Sequence, residues 1–488
     1  MIDSKSKYID LDKIFIFILP IIFIALIFIL DGESFYLSTA LIITILIYEL
    51  FTFRERTIYG LNGFRILSIP SLMFISFTAL IAIPGIYITV IKTNPMRFTF
   101  FYAILSFYFI FPLGLKFANI LFPIDISKIP QLYKPGLVKS SSDKYYYELL
   151  IILLSISILI LFDYLFRVDK IPLFELLKNP RNAYKDLFML REESMKLLDV
   201  TFIEKYLFSW LNKIFLPLGI LGSLFLTILY KKRKYIKLFM VYLFVGLFNN
   251  SLTIAKAPTA AIILSILLFY FLMKQKVTFK FIISSIIMVF AFPFTIIYFS
   301  SIPEIRQFDN LLINGMLNRI FVIPSEVLYQ YFRIFPNMHS FLQGRGTNLF
   351  AWFYPEGNFH IINYVAKIWW DAPQTTGSAN AIYLGNFWAD FGWAGIIIVT
   401  FLIGMFVHFF HYLVIDLSEY KKTIEYMIVM SLFSVIFTIF FISTSFTVLL
   451  FTEGLLIIMI IILLIRGLKN MDRKNNSIKY ILDKTRGN

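Results

Sequence analysis

The chain has 488 residues, no cysteine, a net charge of +15, and 59% hydrophobic against only 15% charged residues. Soluble domains average about 45–50% apolar and about 25% charged residues, so this composition excludes a soluble enzyme, a disordered chain and a disulfide scaffold. Without a thiol there is also no cysteine nucleophile, no iron–sulfur cluster and no cysteine zinc site.

The apolar residues fall in blocks of about 17–25, the length of a bilayer-crossing helix and far beyond the roughly 9–11 residues of an outer-membrane strand. In chain order the predicted spans are Ile14–Leu30, Phe35–Phe53, Ile66–Val90, Phe98–Phe122, Tyr147–Phe166, Leu211–Tyr230, Leu238–Ile254, Ala257–Met273, Phe279–Ser300, Phe391–Tyr412, Ile424–Ile442 and Phe446–Ile465. The predicted fold is an all-α polytopic membrane protein of about twelve transmembrane helices, a single integral domain over residues 1–488. The first apolar stretch has acidic residues near its start and no small-residue cleavage site, so it reads as a retained span.

Lys and Arg in short loops set orientation. Residues 1–13, 54–65, 123–146, 231–237, 274–280, 416–423 and 466–488 hold 27 of the 45 basic residues, and a twelve-span map puts all seven segments on one side. Both termini are therefore expected in the cytoplasm, with the Lys231-Lys232-Arg233-Lys234 run as a topology anchor. The positive charge reports orientation; it is divided among loops and gives no support to nucleic-acid binding.

Two large loops remain outside, 167–210 and 301–380. A loop of that second length in a compact membrane protein points to function. It supplies Arg306, Arg319, Arg333 and Arg345, whose planar forks match phosphate oxygens. Arg319 lies in an apolar stretch interrupted by Pro324, which reads as two short interfacial helices. Lys256 precedes Pro258, a first-turn proline, which sets an ammonium beside a helix N-terminus that already favours an anion. His339 and His360 are candidate general bases, as is Glu356. Trp352, Tyr354, Trp369 and Trp370 suit sugar stacking and suit the membrane interface equally. His408 and His411 are three apart but lack an evident third ligand, so no metal is expected. No P-loop, G-x-S-x-G or H-E-x-x-H occurs, and no cofactor is expected. Asp31 and Glu33 form a short acidic turn of the kind found in glycosyltransferases that use lipid-phosphate sugars.

The segment Thr376-Gly377-Ser378-Ala379-Asn380 through Tyr383, Asp390-Phe391-Gly392 and Gly395 resembles the signature before a late span in bacterial polysaccharide repeat-unit (O-antigen) polymerases. The Leu317-Asn318-Arg319-Ile320 segment, the Lys256-Ala257-Pro258-Thr259 turn and the Arg333–Gly344 spacing are similar to features of that family, as is the layout of spans and loops. The matching Arg-glycine pattern is missing from 167–210, which has no glycine. The resemblance implies transfer of a growing glycan from undecaprenyl diphosphate to a sugar hydroxyl of an incoming lipid-linked repeat, without metal, in the bacterial inner membrane. Arg319, Arg345 and Lys256, supported by Arg333, would then clamp the diphosphate; His339, His360 or Glu356 would serve as base. A chain-length regulator and a flippase are the implied protein partners. O-antigen ligases share the scaffold but carry a histidine before this span, where Ser378-Ala379-Asn380 stands here. A lipid-linked oligosaccharide flippase is the alternative from another class.

Overall fold

The computed structural model describes residues 32–52, 68–125, 127–132, 134–139, 143–178, 194, 202–254, 256–274, isolated positions between 283 and 298, 311–347, 353–354, 357, 359–373, 377–461 and 463. Among these residues every regular element is helical, and nine helices are long and apolar enough to cross a membrane. They are α1 (Glu33–Leu50), α2 (Ile69–Ile91), α3 (Met96–Leu121), α4 (Tyr145–Arg167), α5 (Tyr206–Tyr230), α6 (Arg233–Leu252), α7 (Ala257–Lys274), α10 (Tyr383–Asp416) and α11 (Ile424–Ser443). Two shorter helices, α8 (Ile323–Ile334) and α9 (Ile361–Trp369), lie between α7 and α10. A shorter apolar helix, α12 (Thr447–Ile461), follows α11. The predicted first span lies outside the described residues, and the ninth is described only at isolated helical positions.

Helix α11 occupies the centre. Ile424–Val435 is buried at every position, and the helix packs against α2, α5, α7 and α10. Ser431 and Ser434 survive there because each hydroxyl donates to the carbonyl four residues back, at 2.7 and 2.6 Å, which leaves no unpaired donor in an apolar surrounding. The tightest crossing joins α3 to α10. A Cβ placed on Gly114 would lie 2.1 Å from the Phe401 carbonyl oxygen, and one on Gly404 would lie 2.3 Å from that of Phe111. In a bilayer, helices gain little by hiding apolar side chains from lipid, so close approach of backbones at small residues holds them together.

The basic segments gather at one end of the bundle. The 134–139 segment donates from Gly136 N to the Met273 carbonyl at 3.2 Å and from Val138 N to the Lys422 carbonyl at 3.1 Å. Tyr230 donates to Asp143 at 2.7 Å, and the Lys234 ammonium sits 4.3 Å from the Tyr147 ring. Thus the described parts of four basic segments, among them 134–139, Asp143–Tyr147, 231–235 and Lys422 with the end of α7 at Met273, meet at one end of the bundle. We call the other face the outer end; it collects Glu33, Lys92, Arg97, residues 335–347 and Ser445.

Lys422 lies buried at the basic end, with its Nζ donating to the Leu272 carbonyl at 2.6 Å. Burial pushes its pKa down to about 7, from 10.5. The folded value lies below the unfolded one, so between these limits the unfolded chain binds the extra proton and stability rises with pH. Relative to Lys422→Met, the native protein is expected to gain about 2 kcal/mol from pH 7 to 9. Thermal unfolding in detergent at the two pH values measures this difference.

Two boundaries differ from the sequence reading. The α10 range holds two helical stretches that meet at a kink at Gly392 (φ 59, ψ −137), and the first, before the predicted Phe391 start, folds back on the second, with the Tyr383 hydroxyl 2.8 Å from the Thr400 Oγ1. The stretch predicted as two interfacial helices is also different. Leu311–Val322 forms a π-helix that runs directly into α8, with Pro324 in the first turn of α8, where its missing N–H costs nothing. The Ser325 hydroxyl donates to the Ile81 carbonyl at 3.1 Å. Ile81 lies eleven residues before Lys92, so α8 starts roughly 15 Å below the outer end of α2. It is enclosed by α2, α3 and α10; it does not rest on the surface. Leu328, Tyr331, Phe332 and Ile334 are fully buried on its packed side, and that apolar stripe is what draws it into the bundle.

Candidate functional site

The break in α10 creates the main polar feature of the outer end. A helix that stops leaves its last carbonyls without partners. Here the Leu342–Thr347 turn supplies them: Leu342 N donates to the Ala389 carbonyl and Gln343 N to that of Asp390, both at 2.9 Å. The Asp390 side chain, 1% exposed, completes the lock by accepting from Gly346 N at 2.7 Å. The backbone N–H groups of Gly344 and Thr347 and the Thr347 hydroxyl face the same carboxylate, a nest of the kind that holds anions. Glycine at 344 supplies a φ of 102. Glycine at 346 leaves room for the carboxylate, which a Cβ would meet at 2.9 Å. On the far side of the turn, the Arg345 carbonyl accepts from Phe359 N at 2.9 Å. That bond brings His360 next to the Arg345 turn.

A cavity of about 90 Å³ opens beside this turn, lined by Gly346, Thr347, His360, Asn363, Asn386, Ser445 and Thr447 among others. Asn386 stands one helical turn before Asp390, so one helix places both. Its Oδ1 is buried without a protein partner. His360 is exposed at the N-cap of α9. Ser445 is the N-cap of the short helix that follows α11, where its hydroxyl accepts from Val448 N at 3.4 Å. Four separate segments thus contribute hydroxyl, amide and imidazole groups to one space, chemistry suited to holding sugar hydroxyls and taking a proton from one.

A charged stripe runs along another side of α8. Glu326 pairs with Lys92 at 2.8 Å and accepts from Gln330 Nε2. The Lys92 ammonium lies 5.6 Å from the Tyr329 ring, and Arg333 acts electrostatically on that tyrosine. The Arg333 Nε is buried without a partner. Next to this stripe, Arg97 pairs with Glu33 at 2.8 Å and donates to the carbonyls of Thr89 and Lys92, closing the end of α2.

The expected site residues separate into groups. His360 lines the cavity, Arg345 stands beside it in the turn that bonds Phe359 without lining it, and Arg333 lies at the end of α8, a few residues before His339. The His339 ring packs against Phe335, Phe359 and Tyr364 at 5.1–5.6 Å, with Nδ1 2.7 Å from the Ser340 carbonyl. It fills an aromatic nest, and it does not line the cavity. Arg319 is exposed on the π-helix, fourteen residues before Arg333, roughly 20 Å along the helical path and too far to share one diphosphate with it. Lys256 begins the α7 helix, but its side chain lies outside the described residues, as does Glu356. His408 donates from Nε2 to the Phe122 carbonyl at 3.0 Å, and no group of three His, Asp or Glu capable of holding a metal occurs among the described residues.

Lys92, Arg97, Asn386 and Ser445 were not singled out from the sequence, and Asp390 entered it only as part of the late-span signature. Lys92 and Arg97 carried a readable signal: two basic residues in one short loop on the side that should be poor in them. Asn386 and Ser445 carried none, because nothing local shows that α10 breaks or that the end of α11 meets it. Compared with family models, curated proteins and solved structures, the chain matches none.

Proposed function

We propose that this chain is a membrane glycosyltransferase that polymerises undecaprenyl-diphosphate-linked oligosaccharide repeats into surface polysaccharide. The observation that carries the reading is the polar cavity at the outer end, where His360, Thr347, Asn386 and Ser445 converge beside the Arg345 turn. In this reading the bacterial inner membrane holds the chain with its basic end in the cytoplasm. His360 takes the proton from the acceptor hydroxyl. The hydroxyl oxygen then bonds to the anomeric carbon of the growing glycan, and the bond to the lipid diphosphate breaks. The diphosphate leaves with the electron pair, its charge met by Arg345 and, along the α8 stripe, by Arg333 and Lys92. No step calls for a metal or cofactor. A chain-length regulator and a flippase would act with it.

The test is polymer formation in membrane vesicles supplied with lipid-linked repeats. His360→Ala is expected to slow chain growth by about 10²–10⁴-fold, the range for a positioned base. Arg345→Ala is expected to lose a comparable factor, with protein level unchanged. Arg319→Ala, distant from the cavity, should keep its ladder of chain lengths. An unchanged ladder in His360→Ala and Arg345→Ala would retire the assignment. If Asp31→Asn or Glu33→Gln alone stops synthesis, a lipid-phosphate-sugar transferase takes its place.

A further inference from the structure

The densest run of exposed charge among the described residues lies at the basic end, where α5 turns into α6. Lys231, Lys232, Arg233, Lys234 and Lys237 are all exposed, and no acidic residue occurs between Glu204 and Glu304 to balance them. None of the five forms an ion pair with a described residue. Orientation requires only that such charges stay on one side; it does not require them to be gathered without a counter-charge. The start of α6 sharpens the imbalance. Its first turn holds no acidic residue, and its N-cap Lys232 makes no side-chain capping bond, although a helix N-terminus is the positive end of the dipole and favours an anion. Helical spacing then gathers three of the cations. Lys237 is one turn from both Arg233 and Lys234, so the three are neighbours on the helix surface. The Lys234 ammonium rests 4.3 Å from the Tyr147 ring and 4.9 Å from the Tyr235 ring, contacts that hold the side chain without neutralising it. Met240, Val241 and Phe244, exposed and apolar, follow Lys237 on the same face within about 10 Å. They mark where hydrocarbon begins, which sets the three cations at the level of lipid phosphates.

We infer that this turn binds the head group of an anionic phospholipid, with the phosphate held by Arg233, Lys234 and Lys237. Arginine offers a planar fork to two phosphate oxygens, and the lysines add charge. Level selects a lipid over a soluble anion: a lipid phosphate is already held at the height of the three cations by its own chains, whereas a free ion must be drawn from solution. Charge selects among the lipids. A zwitterionic head group brings its own cation to the site and offsets the attraction; an anionic one does not. The inference stands apart from the proposed function, since it concerns the opposite end of the bundle from the polar cavity.

The full-length protein in a neutral detergent would be titrated with phosphatidylglycerol or phosphatidylcholine, and bound lipid counted by native mass spectrometry. Phosphatidylglycerol is expected to bind about tenfold more tightly or better. Arg233→Gln combined with Lys234→Gln and Lys237→Gln should weaken it by about a hundredfold, the loss of three near-surface cations. Lys134→Gln combined with Lys274→Gln and Lys421→Gln removes the same charge from exposed positions around the end of α7. That control should weaken binding by no more than about threefold, through long-range attraction alone. Should the first triple variant fail to insert, Arg233→Gln with Lys237→Gln keeps Lys231, Lys232 and Lys234 as the orientation signal and is expected to lose about thirtyfold. Equal losses in the site and control variants would show diffuse attraction and overturn the inference. Equal affinity for the two lipids would overturn it too. Displacement of phosphatidylglycerol by inorganic phosphate at constant ionic strength would assign the turn to a soluble anion and dismiss the lipid.

Discussion

Replacing Gly404 with valine is expected to leave almost no folded protein in the membrane. The Cβ would sit 2.3 Å from the Phe111 carbonyl oxygen, a backbone atom that cannot rotate away. Gly114 stands in the reciprocal position, with the Phe401 carbonyl at 2.1 Å, so one helix cannot slide to relieve the other. Overpacking a core costs about 1–3 kcal/mol and more where nothing yields. Folded proteins hold only about 5–15 kcal/mol in reserve, and the α3–α10 crossing is the tightest in the bundle. Gly246→Ala is the contrast. Its nearest neighbour is the Ile220 Cδ1, at 3.0 Å, the end of a flexible side chain, and the expected loss is below about 1 kcal/mol. Size-exclusion profiles and thermal unfolding of the two detergent-solubilised variants separate the outcomes; two variants of equal stability would show that the α3–α10 crossing is looser than described.

Asp390→Ala is expected to slow the proposed glycan transfer by about a hundredfold while the bundle stays folded. The variant strips the partner from Gly346 N inside a buried turn, a loss of about 1–3 kcal/mol. The turn carries Arg345 and, through the Phe359 bond, fixes His360. Misplacing reacting groups by about 1 Å costs on the order of 10²-fold in rate. Asp390→Asn keeps an Oδ1 acceptor for Gly346 and is expected to retain most of the activity. Hydrogen exchange at residues 342–347 gives an independent reading: protection should fall in the alanine variant and persist in the asparagine one. Equal inactivity in both, with protection intact, would assign the carboxylate's charge a direct role and dismiss the positioning role.

The membrane character and the placement of most spans were legible in the sequence because both follow from short-range terms. A run such as Tyr147–Phe166 must cross lipid wherever its neighbours lie, and Lys231 to Lys234 stay on one side for reasons of charge alone. Contacts between segments were not legible. The α8 stretch looked interfacial because Arg319 sits in an apolar run that Pro324 interrupts. Only the bundle shows that Glu326 has Lys92 to pair with, which lets that helix sink among α2, α3 and α10. The same limit hid the cavity. Arg345 and His360 stood out by residue type, whereas Asn386 and Ser445 are ordinary residues until the chain sets them opposite each other. His339, chosen for its chemistry, turned out to be held by three aromatic rings.

The break at Gly392 folds one stretch of chain back along the next. Tyr383 to Asp390 is buried at every position, and the Tyr383 hydroxyl lies 2.8 Å from the Thr400 Oγ1, so this stretch runs beside the first turns of the span that follows it. The wall of the polar cavity that carries Asn386 is therefore tied to the membrane-crossing helix by covalent structure and by that hydrogen bond, independent of any outer loop. In the proposed reading, the lipid-to-sugar bond of each repeat would be met at one level, whatever the length of the glycan beyond it.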